Sequence, residues 1–182
     1  MVLSPDVTVC EVANKGKGII ATRDIAAGEK VWWWNEDAEP AYEYSKSDIE
    51  KETGDFGDKL RMYSFMVGEN TFSSISRDPD EAMCPSFYFN HSCVPSCWFD
   101  EGGNCLVTVR AVAAGEELNY DYATTESESS FHVGMRCNCD SEHCRGVLTG
   151  SEYSGHEFFS KYKGHMMEYL ERIISRRVSG LF

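Results

Sequence analysis

The sequence has no long apolar run. It contains no stretch of about 18 consecutive apolar residues, the length that a membrane-spanning helix needs. Its first twenty residues, MVLSPDVTVCEVANKGKGII, also lack a basic start followed by the apolar core of a secretory signal. We therefore expect a soluble intracellular protein with no membrane partner, and the sequence does not distinguish a nuclear from a cytoplasmic location.

Basic residues are scarce. Lys and Arg total 17 against 30 Asp and Glu, which gives a formal net charge of −13. Such a charge opposes binding along a phosphate backbone, so we expect no direct nucleic-acid binding and favour a basic protein or peptide as the partner. The alternative is that the acidity serves only solubility.

Short strands broken by glycine dominate the pattern. They run from Val7 to Trp34 and again from Ser86 to Tyr122, which predicts a mainly β fold (β+α) in one domain of 182 residues. The element Arg-(Asp/Ala)-(Ile/Val)-Ala-Ala-Gly-Glu occurs at Arg23–Glu29 and at Arg110–Glu116. Two copies of one strand-turn unit indicate pseudo-symmetry within the fold.

The middle and the end of the chain carry the predicted helices. A short helix is expected around Ser47–Thr53, with Ser45 or Ser47 as its cap. A Gly-Asp-Phe-Gly-Asp turn and a hairpin over Leu60–Ser76 should follow. Apolar residues recur at helical spacing across Gly155–Val178, which predicts an amphipathic helix that is broken or weakened at Gly164.

Eight cysteines raise the choice between disulfides and metal binding. Without a secretory signal, and with CNCDSEHC in one short stretch, metal ligation is the better interpretation. Cys137, Cys139 and Cys144 supply three thiolates within eight residues, a spacing that suits one tetrahedral zinc ion. The residues themselves leave four candidates for the fourth ligand: Cys93, Cys97, His91 and His143.

Three further polar motifs have plain interpretations when each is taken alone. Gly16-Lys17-Gly18 permits close approach of a ligand to the backbone, or is only a tight turn. The run Asn90–Cys93 is a polar turn with a core histidine, or a group of functional side chains. The run Asn119–Tyr122 places two tyrosines at a strand end, where their rings either only pack or have a functional role.

In combination and in this order, KGKGIIATRDIAAGEKV, FNHSCVPSC, GEELNYDY and CNCDSEHCRG resemble the SET-domain protein-lysine methyltransferases with a post-SET zinc loop. The resemblance covers residues 7–34 and 84–148. It implies a fold of small twisted sheets with a pseudoknot. The implied organisation is a SET domain at 1–124 with a variable insert at 35–80, a post-SET zinc loop at 125–150 and a C-terminal helical extension at 151–182.

The resemblance also implies roles for single residues. Tyr122 matches the catalytic tyrosine, and Tyr120 matches a position that affects the room around the lysine nitrogen. Cys93 is implied as the fourth ligand of one structural zinc. The residues implied to bind the cofactor S-adenosylmethionine are Gly16, Lys17 and Gly18 at its methionine end, and Asn90 and His91 on its adenine side.

The function implied is methyl transfer from S-adenosylmethionine to a lysine amine in a basic protein such as a histone tail, with monomethyl-lysine as the chief product. Two alternatives remain: a divergent SET-like protein that binds or transforms a non-protein ligand, and a non-catalytic, zinc-stabilised interaction module. The sequence departs from the family pattern at Phe87, where many members have arginine, and at Ser96, where asparagine is common.

Overall fold

A computed structural model describes residues 1–35, 42–78 and 80–178. The strands are β1 (Val2–Leu3), β2 (Val7–Val12), β3 (Gly16–Ala21), β4 (Lys30–Trp33), β5 (Tyr42–Ser45), β6 (Phe65–Gly68), β7 (Thr71–Ser74), β8 (Asn90–His91), β9 (Cys97–Asp100), β10 (Cys105–Thr108) and β11 (Glu117–Tyr120). The α-helices are α1 (Lys46–Lys51), α2 (Gly54–Met62), α3 (His156–Tyr162) and α4 (Glu168–Val178). Parts of the predicted insert and of the C-terminal extension therefore lie outside the described residues. No described helix has the length and apolar character needed to cross a membrane.

The strands form three small sheets with the orders β1-β4-β10-β9, β2-β3-β11-β8 and β5-β7-β6. Neighbouring strands pair antiparallel except β8 and β11, which are parallel. That pair places Asn90 opposite Asn119 and His91 opposite Tyr120. The two polar motifs at residues 90–93 and 119–122 therefore lie side by side although they are far apart in sequence.

The repeated element forms a pseudo-symmetric pair. Arg23–Glu29 and Arg110–Glu116 meet at an isolated bridge, in which Ile25 and Val112 exchange backbone hydrogen bonds of 2.8 and 2.9 Å. In each copy the terminal glutamate accepts a hydrogen bond from the backbone three residues earlier and pairs with the arginine that opens the copy. The glycine of each copy has a positive φ, +85° and +84°, which suits a residue without Cβ. The predicted pseudo-symmetry is confirmed.

The predicted short helix is present as α1, and Ser45 is its cap. The Ser45 hydroxyl accepts a hydrogen bond from the backbone N–H of Asp48 at 3.2 Å. The predicted Gly-Asp-Phe-Gly-Asp turn is wrong, because these residues lie within α2. Burial of Gly57 and Leu60 stabilises that helix despite its two glycines, and a Cβ at Gly57 would lie only 2.4 Å from the carbonyl oxygen of Glu52. The hairpin consequently begins later than predicted, at β6.

The C-terminal helical region is interrupted at Gly164, as predicted. This residue has φ +82° and lies between α3 and α4. The region packs onto the domain through buried side chains, among them Tyr162, Met166, Tyr169 and Leu170. It is therefore part of the common hydrophobic core.

Candidate functional site

Tyr122 and His91 form the centre of the site where β8 and β11 meet. The backbone N–H of Tyr122 donates to Nδ1 of His91 at 3.1 Å, so this nitrogen is an acceptor and the neutral imidazole carries its proton on Nε2. Burial lowers the pKa of His91 to about 4, which outweighs the opposing effect of Asp121. His91 is accordingly neutral at physiological pH.

The hydroxyl of Tyr122 is held in place. It donates to the carbonyl oxygen of Phe89 at 2.9 Å. Burial raises the pKa of Tyr122 above its ordinary value, and the nearby carboxylates of Glu126 and Glu117 add to the shift. Tyr122 therefore presents a protonated, oriented hydroxyl rather than a phenolate.

A narrow aromatic cavity of about 40 Å³ adjoins Tyr122. Tyr120 forms part of its wall, with its ring centroid 5.0 Å from that of Tyr122. Burial also raises the pKa of Tyr120 well above its ordinary value, so its hydroxyl stays protonated. Other residues in the wall are Trp32, Phe65, Phe87, Phe89, Phe99 and His132. Such a lining suits an extended apolar stem with a small polar end.

A second cavity of about 230 Å³ lies on another side of Tyr122 and is polar. Asn90 and His91 line it, as do the cationic side chains of Lys15 and Arg136. Lys15 is oriented by an ion pair with Glu117 at 2.7 Å. Tyr122 lines both cavities, so one side chain borders a polar chamber and an apolar one.

The glycine motif lies next to the polar cavity but does not line it. Gly16, Lys17 and Gly18 belong to β3, and the preceding residues Asn14 and Lys15 line the cavity instead. A Cβ at Gly18 would lie 2.9 Å from the amide nitrogen of Asn90, which itself donates to the carbonyl oxygen of Lys17 at 3.0 Å. Because Gly18 has no side chain, the amide of Asn90 can lie close to its backbone.

The four cysteines Cys93, Cys137, Cys139 and Cys144 come together, with all four sulfur atoms within 4.8 Å of one another. The sulfur atoms of Cys93 and Cys137 are 3.7 Å apart. Thiolates at about 2.3 Å from a tetrahedral zinc would be about 3.8 Å apart, so the donor set and its spacing fit the ion. Backbone N–H groups after Cys144 point at the sulfurs of Cys93 and Cys144, each at 3.4 Å.

Of the other candidate ligands, Cys97 and His143 lie outside the cysteine cluster, whereas His91 contacts it. Cys97 is buried in β9 beside Ser96, and His143 is exposed beside Glu142. His91 Nε2 is 3.4 Å from the sulfur of Cys93 and can donate to it. The imidazole therefore connects the backbone of Tyr122 to the cysteine cluster.

The sequence did not single out the buried Asp121 or its partner Arg145. They form a bidentate ion pair with distances of 2.7 and 2.6 Å, and Tyr162 of α3 donates to the same carboxylate at 3.1 Å. Asp121 precedes Tyr122 and Arg145 follows Cys144. This ion pair therefore connects the centre of the site, the cysteine loop and the C-terminal helices.

The family model described as SET domain matches residues 16–123, more than half of the chain. The chain belongs to the SET-domain family. This assignment confirms the predicted β-rich SET fold. The matched residues include the glycine motif, Asn90, His91 and Tyr122, and they end before the three clustered cysteines.

Proteins of similar sequence carry the name histone-lysine N-methyltransferase. The chain is 31% identical to histone-lysine N-methyltransferase Su(var)3-9 of Drosophila melanogaster over 154 residues, which cover 74% of this chain and 23% of that protein. It is 27% identical over 156 residues to an H3 lysine-36 specific histone-lysine N-methyltransferase of Eremothecium gossypii, covering 80% and 21% of the two chains. The match to histone-lysine N-methyltransferase trithorax of Drosophila virilis is 28% over 141 residues, covering 73% and 3%. The chain thus spans less than a quarter of the length of these relatives.

Proposed function

We propose that this SET-domain chain transfers a methyl group from S-adenosylmethionine to a lysine side-chain amine of a basic protein, such as a histone tail, and produces chiefly monomethyl-lysine. The observation that carries the proposal is that Tyr122 lines both a polar and an aromatic cavity. A cofactor in the first and a lysine side chain in the second would both border its hydroxyl. The histone-lysine methyltransferases among the relatives support this reaction class.

The polar cavity suits the cofactor that SET methyltransferases use. Lys15 and Arg136 offer positive charge for a carboxylate, and Asn90 and His91 offer polar groups for the nucleoside. When bound, S-adenosylmethionine supplies a methyl group on a positively charged sulfur, which leaves as a neutral thioether. Gly16, Lys17 and Gly18 would act mainly through the backbone, by shaping the strand beside Asn90.

The attacking amine must lose its proton before methyl transfer. With an ordinary lysine pKa of about 10.4, deprotonation at pH 8 costs roughly 3.3 kcal/mol. The aromatic walls of the narrow cavity disfavour the ammonium form and so reduce this cost. The protonated hydroxyl of Tyr122 then holds the amine in line with the methyl group, so catalysis consists mainly of positioning and electrostatics.

The cysteine cluster would hold one structural zinc ion through Cys93, Cys137, Cys139 and Cys144. All four sulfurs would be committed to such a tetrahedral site, which would leave no coordination position for substrate. The ion would fix the loop that carries Met135 and Arg136 along the polar cavity. Its contribution is therefore to the shape of the cofactor site.

The proposed reaction is tested by incubating the zinc-loaded chain with radiolabelled S-adenosylmethionine and a panel of basic proteins that includes histones. Label recovered on lysine would support it. Label on a small molecule alone would favour a divergent SET-like enzyme instead. Cofactor binding without transfer to any acceptor would favour a non-catalytic module.

Replacing Tyr120 by phenylalanine should shift the products toward dimethyl- and trimethyl-lysine. A hydroxyl in this position can hold the amine or an ordered water, and a second methyl group must displace that water or break a hydrogen bond. This costs on the order of 1–2 kcal/mol, enough to slow later transfers about tenfold or more. Mass spectrometry of a methylated substrate measures the shift.

The matched control is Tyr42→Phe, because Tyr42 bonds to Glu81 at 2.5 Å and does not line the aromatic cavity. Its product distribution should equal that of the wild type. Trimethyl-lysine as the main wild-type product, or no change in Tyr120→Phe, would refute the role of this hydroxyl.

A further inference from the structure

The side-chain amide of Asn90 is held in one orientation by two acceptors. Its nitrogen Nδ2 donates to the backbone carbonyl oxygen of Lys17 at 3.0 Å and to Oε1 of Glu117 at 2.8 Å. A carbonyl oxygen and an ionised carboxylate accept hydrogen bonds and cannot donate them, so the NH₂ end of the amide must face both groups. The carbonyl end of the same amide, Oδ1, is therefore turned away from them.

Oδ1 of Asn90 is an unused acceptor at the polar cavity. Asn90 lines this cavity, and Oδ1 forms no hydrogen bond within the part of the chain that the structure describes. The atom is not enclosed either, because among the described residues the fully buried side-chain atoms without a partner belong to Trp32, Ser73 and Glu152. An accessible acceptor with a fixed direction at the wall of a cavity is a group that a ligand N–H can reach.

Glu117 of β11 orients Asn90 without lining the cavity itself. Its second oxygen, Oε2, accepts from Nζ of Lys15 at 2.7 Å, and the side chains of Lys15 and Glu117 are only 17% and 14% exposed. Lys15 lines the cavity, as Asn90 does. One carboxylate therefore connects two of the cavity's polar side chains and uses a different oxygen for each.

The space around this amide–carboxylate pair is tight. Gly18 of β3 lies beside it, and a Cβ at this position would be 2.9 Å from Nδ2 of Asn90 and 3.0 Å from Oε1 of Glu117. Both separations are below the roughly 3.5 Å at which non-bonded contacts of a carbon atom become favourable. The pair therefore packs against the bare backbone of β3, which leaves it no room to shift in that direction.

We infer that Glu117 is a positioning residue for the cofactor: it fixes Asn90 so that Oδ1 accepts a hydrogen bond from an N–H donor of bound S-adenosylmethionine. The cofactor carries two such donors, the α-ammonium of its methionine part and the 6-amino group of its adenine. The inference rests on the proposed function, because that function puts the cofactor in the polar cavity. Glu117 acts through Asn90 and does not itself contact the cofactor.

Glu117→Gln should disturb this arrangement although it keeps the size of the side chain. The new amide has one acceptor end and one donor end, and the ammonium of Lys15 competes for the acceptor with the stronger, charge-assisted hydrogen bond. The donor end then faces the NH₂ group of Asn90. Asn90 relieves this conflict by turning its amide over, and the cavity loses the acceptor.

Binding of cofactor analogues tests the inference without any methyl transfer. The zinc-loaded full chain is titrated in a calorimeter with S-adenosylhomocysteine and with two analogues, in which hydrogen replaces either the 6-amino group or the α-amino group. One of the two replacements should weaken binding to the wild type about tenfold or more, because the acceptor is left without its partner. The same replacement should have a much smaller effect in Glu117→Gln, whereas the other replacement should have the same effect in both proteins.

Glu116→Gln is the matched control. Glu116 is the neighbouring carboxylate, and it bonds to Arg110 and to the backbone N–H of Ala113 in the turn before β11. The change removes the same charge and should keep the analogue preference of the wild type. Equal effects in both variants would show that charge rather than amide orientation matters, and would overturn the inference. Equal affinity of the wild type for all three ligands would overturn it as well.

Two further outcomes separate this inference from the proposed reaction. Analogue discrimination that depends on Glu117, in a chain that methylates no lysine, would retain the role of Glu117 and reject the reaction. Methyl transfer to lysine with analogue affinities that ignore Glu117 would do the opposite. If Glu117→Gln does not fold, the side-chain N–H signals of Asn90 in NMR spectra of the wild type provide a second measurement. Both should exchange slowly with solvent in the presence and absence of ligand, and rapid exchange of either would overturn the assigned orientation.

Discussion

Replacing Tyr122 by phenylalanine should lower the turnover of methyl transfer by about 100- to 10,000-fold, as the loss of a positioned polar group in an active site often does. The hydroxyl is fixed by its 2.9 Å hydrogen bond to the carbonyl oxygen of Phe89, and Tyr122 lines both cavities. The substitution removes this one atom and leaves the ring in place. Single-turnover kinetics with saturating cofactor measure the effect on the chemical step.

The same substitution has a second, smaller consequence that must be separated from the first. The carbonyl of Phe89 loses its partner, which costs about 1–3 kcal/mol of stability if the group stays buried. Thermal unfolding measures that loss, and cofactor affinity should change much less than turnover because the backbone N–H of Tyr122 still donates to His91. Unimpaired transfer by the variant would remove Tyr122 from its proposed catalytic role.

Local sequence signals were sufficient for the features that depend on short spacing. The three clustered cysteines, the repeated Ala-Ala-Gly-Glu turns and the break at Gly164 are each specified within a few residues. The helix α2 was missed for the converse reason. Its two glycines are locally typical of a turn. The helix is stabilised instead by the burial of Gly57 and Leu60, which depends on the surrounding chain.

The walls of the cavities could not be predicted from spacing. Trp32 comes from β4, Phe65 from β6 and His132 from the loop before the cysteines, and only the tertiary fold brings them to Tyr122. The ring of His132 lies with its centroid 5.4 Å from that of Tyr122, and its Nε2 donates to the carbonyl oxygen of Ser64 at 2.7 Å. No motif marks this histidine. The resemblance to the family identified Tyr122, but it did not identify the side chains that surround this residue.

The ion pair between Asp121 and Arg145 explains why the cysteine loop and Tyr122 should respond together. The carboxylate is fully buried and accepts hydrogen bonds from Arg145, Tyr162 and the backbone N–H of Ala123. Breaking such a buried pair by removing one partner leaves an uncompensated charge, which typically costs 3–5 kcal/mol. A disturbance of the loop that displaces Arg145 therefore reaches the backbone next to Tyr122.

Removing the zinc ion should strongly affect the cysteine loop and cofactor binding. We expect one zinc ion per chain, with a binding free energy on the order of 10–16 kcal/mol as in comparable sites, and Cys93→Ser should sharply reduce the zinc content. In the proposed site Cys93 would connect the segment after β8 to the loop at residues 137–144, so its loss should release that loop and weaken cofactor binding. Elemental analysis and hydrogen exchange over residues 135–148 measure both effects.

Cys10→Ser is the matched control, because Cys10 is exposed and lies outside the cluster. If Cys93→Ser fails to fold, chelation of the wild-type protein provides the same comparison. Absence of zinc from the purified wild-type chain, or a disulfide among the four cysteines, would refute the site. A zinc-free chain that still binds the cofactor normally would instead show that the ion does not shape the cofactor cavity.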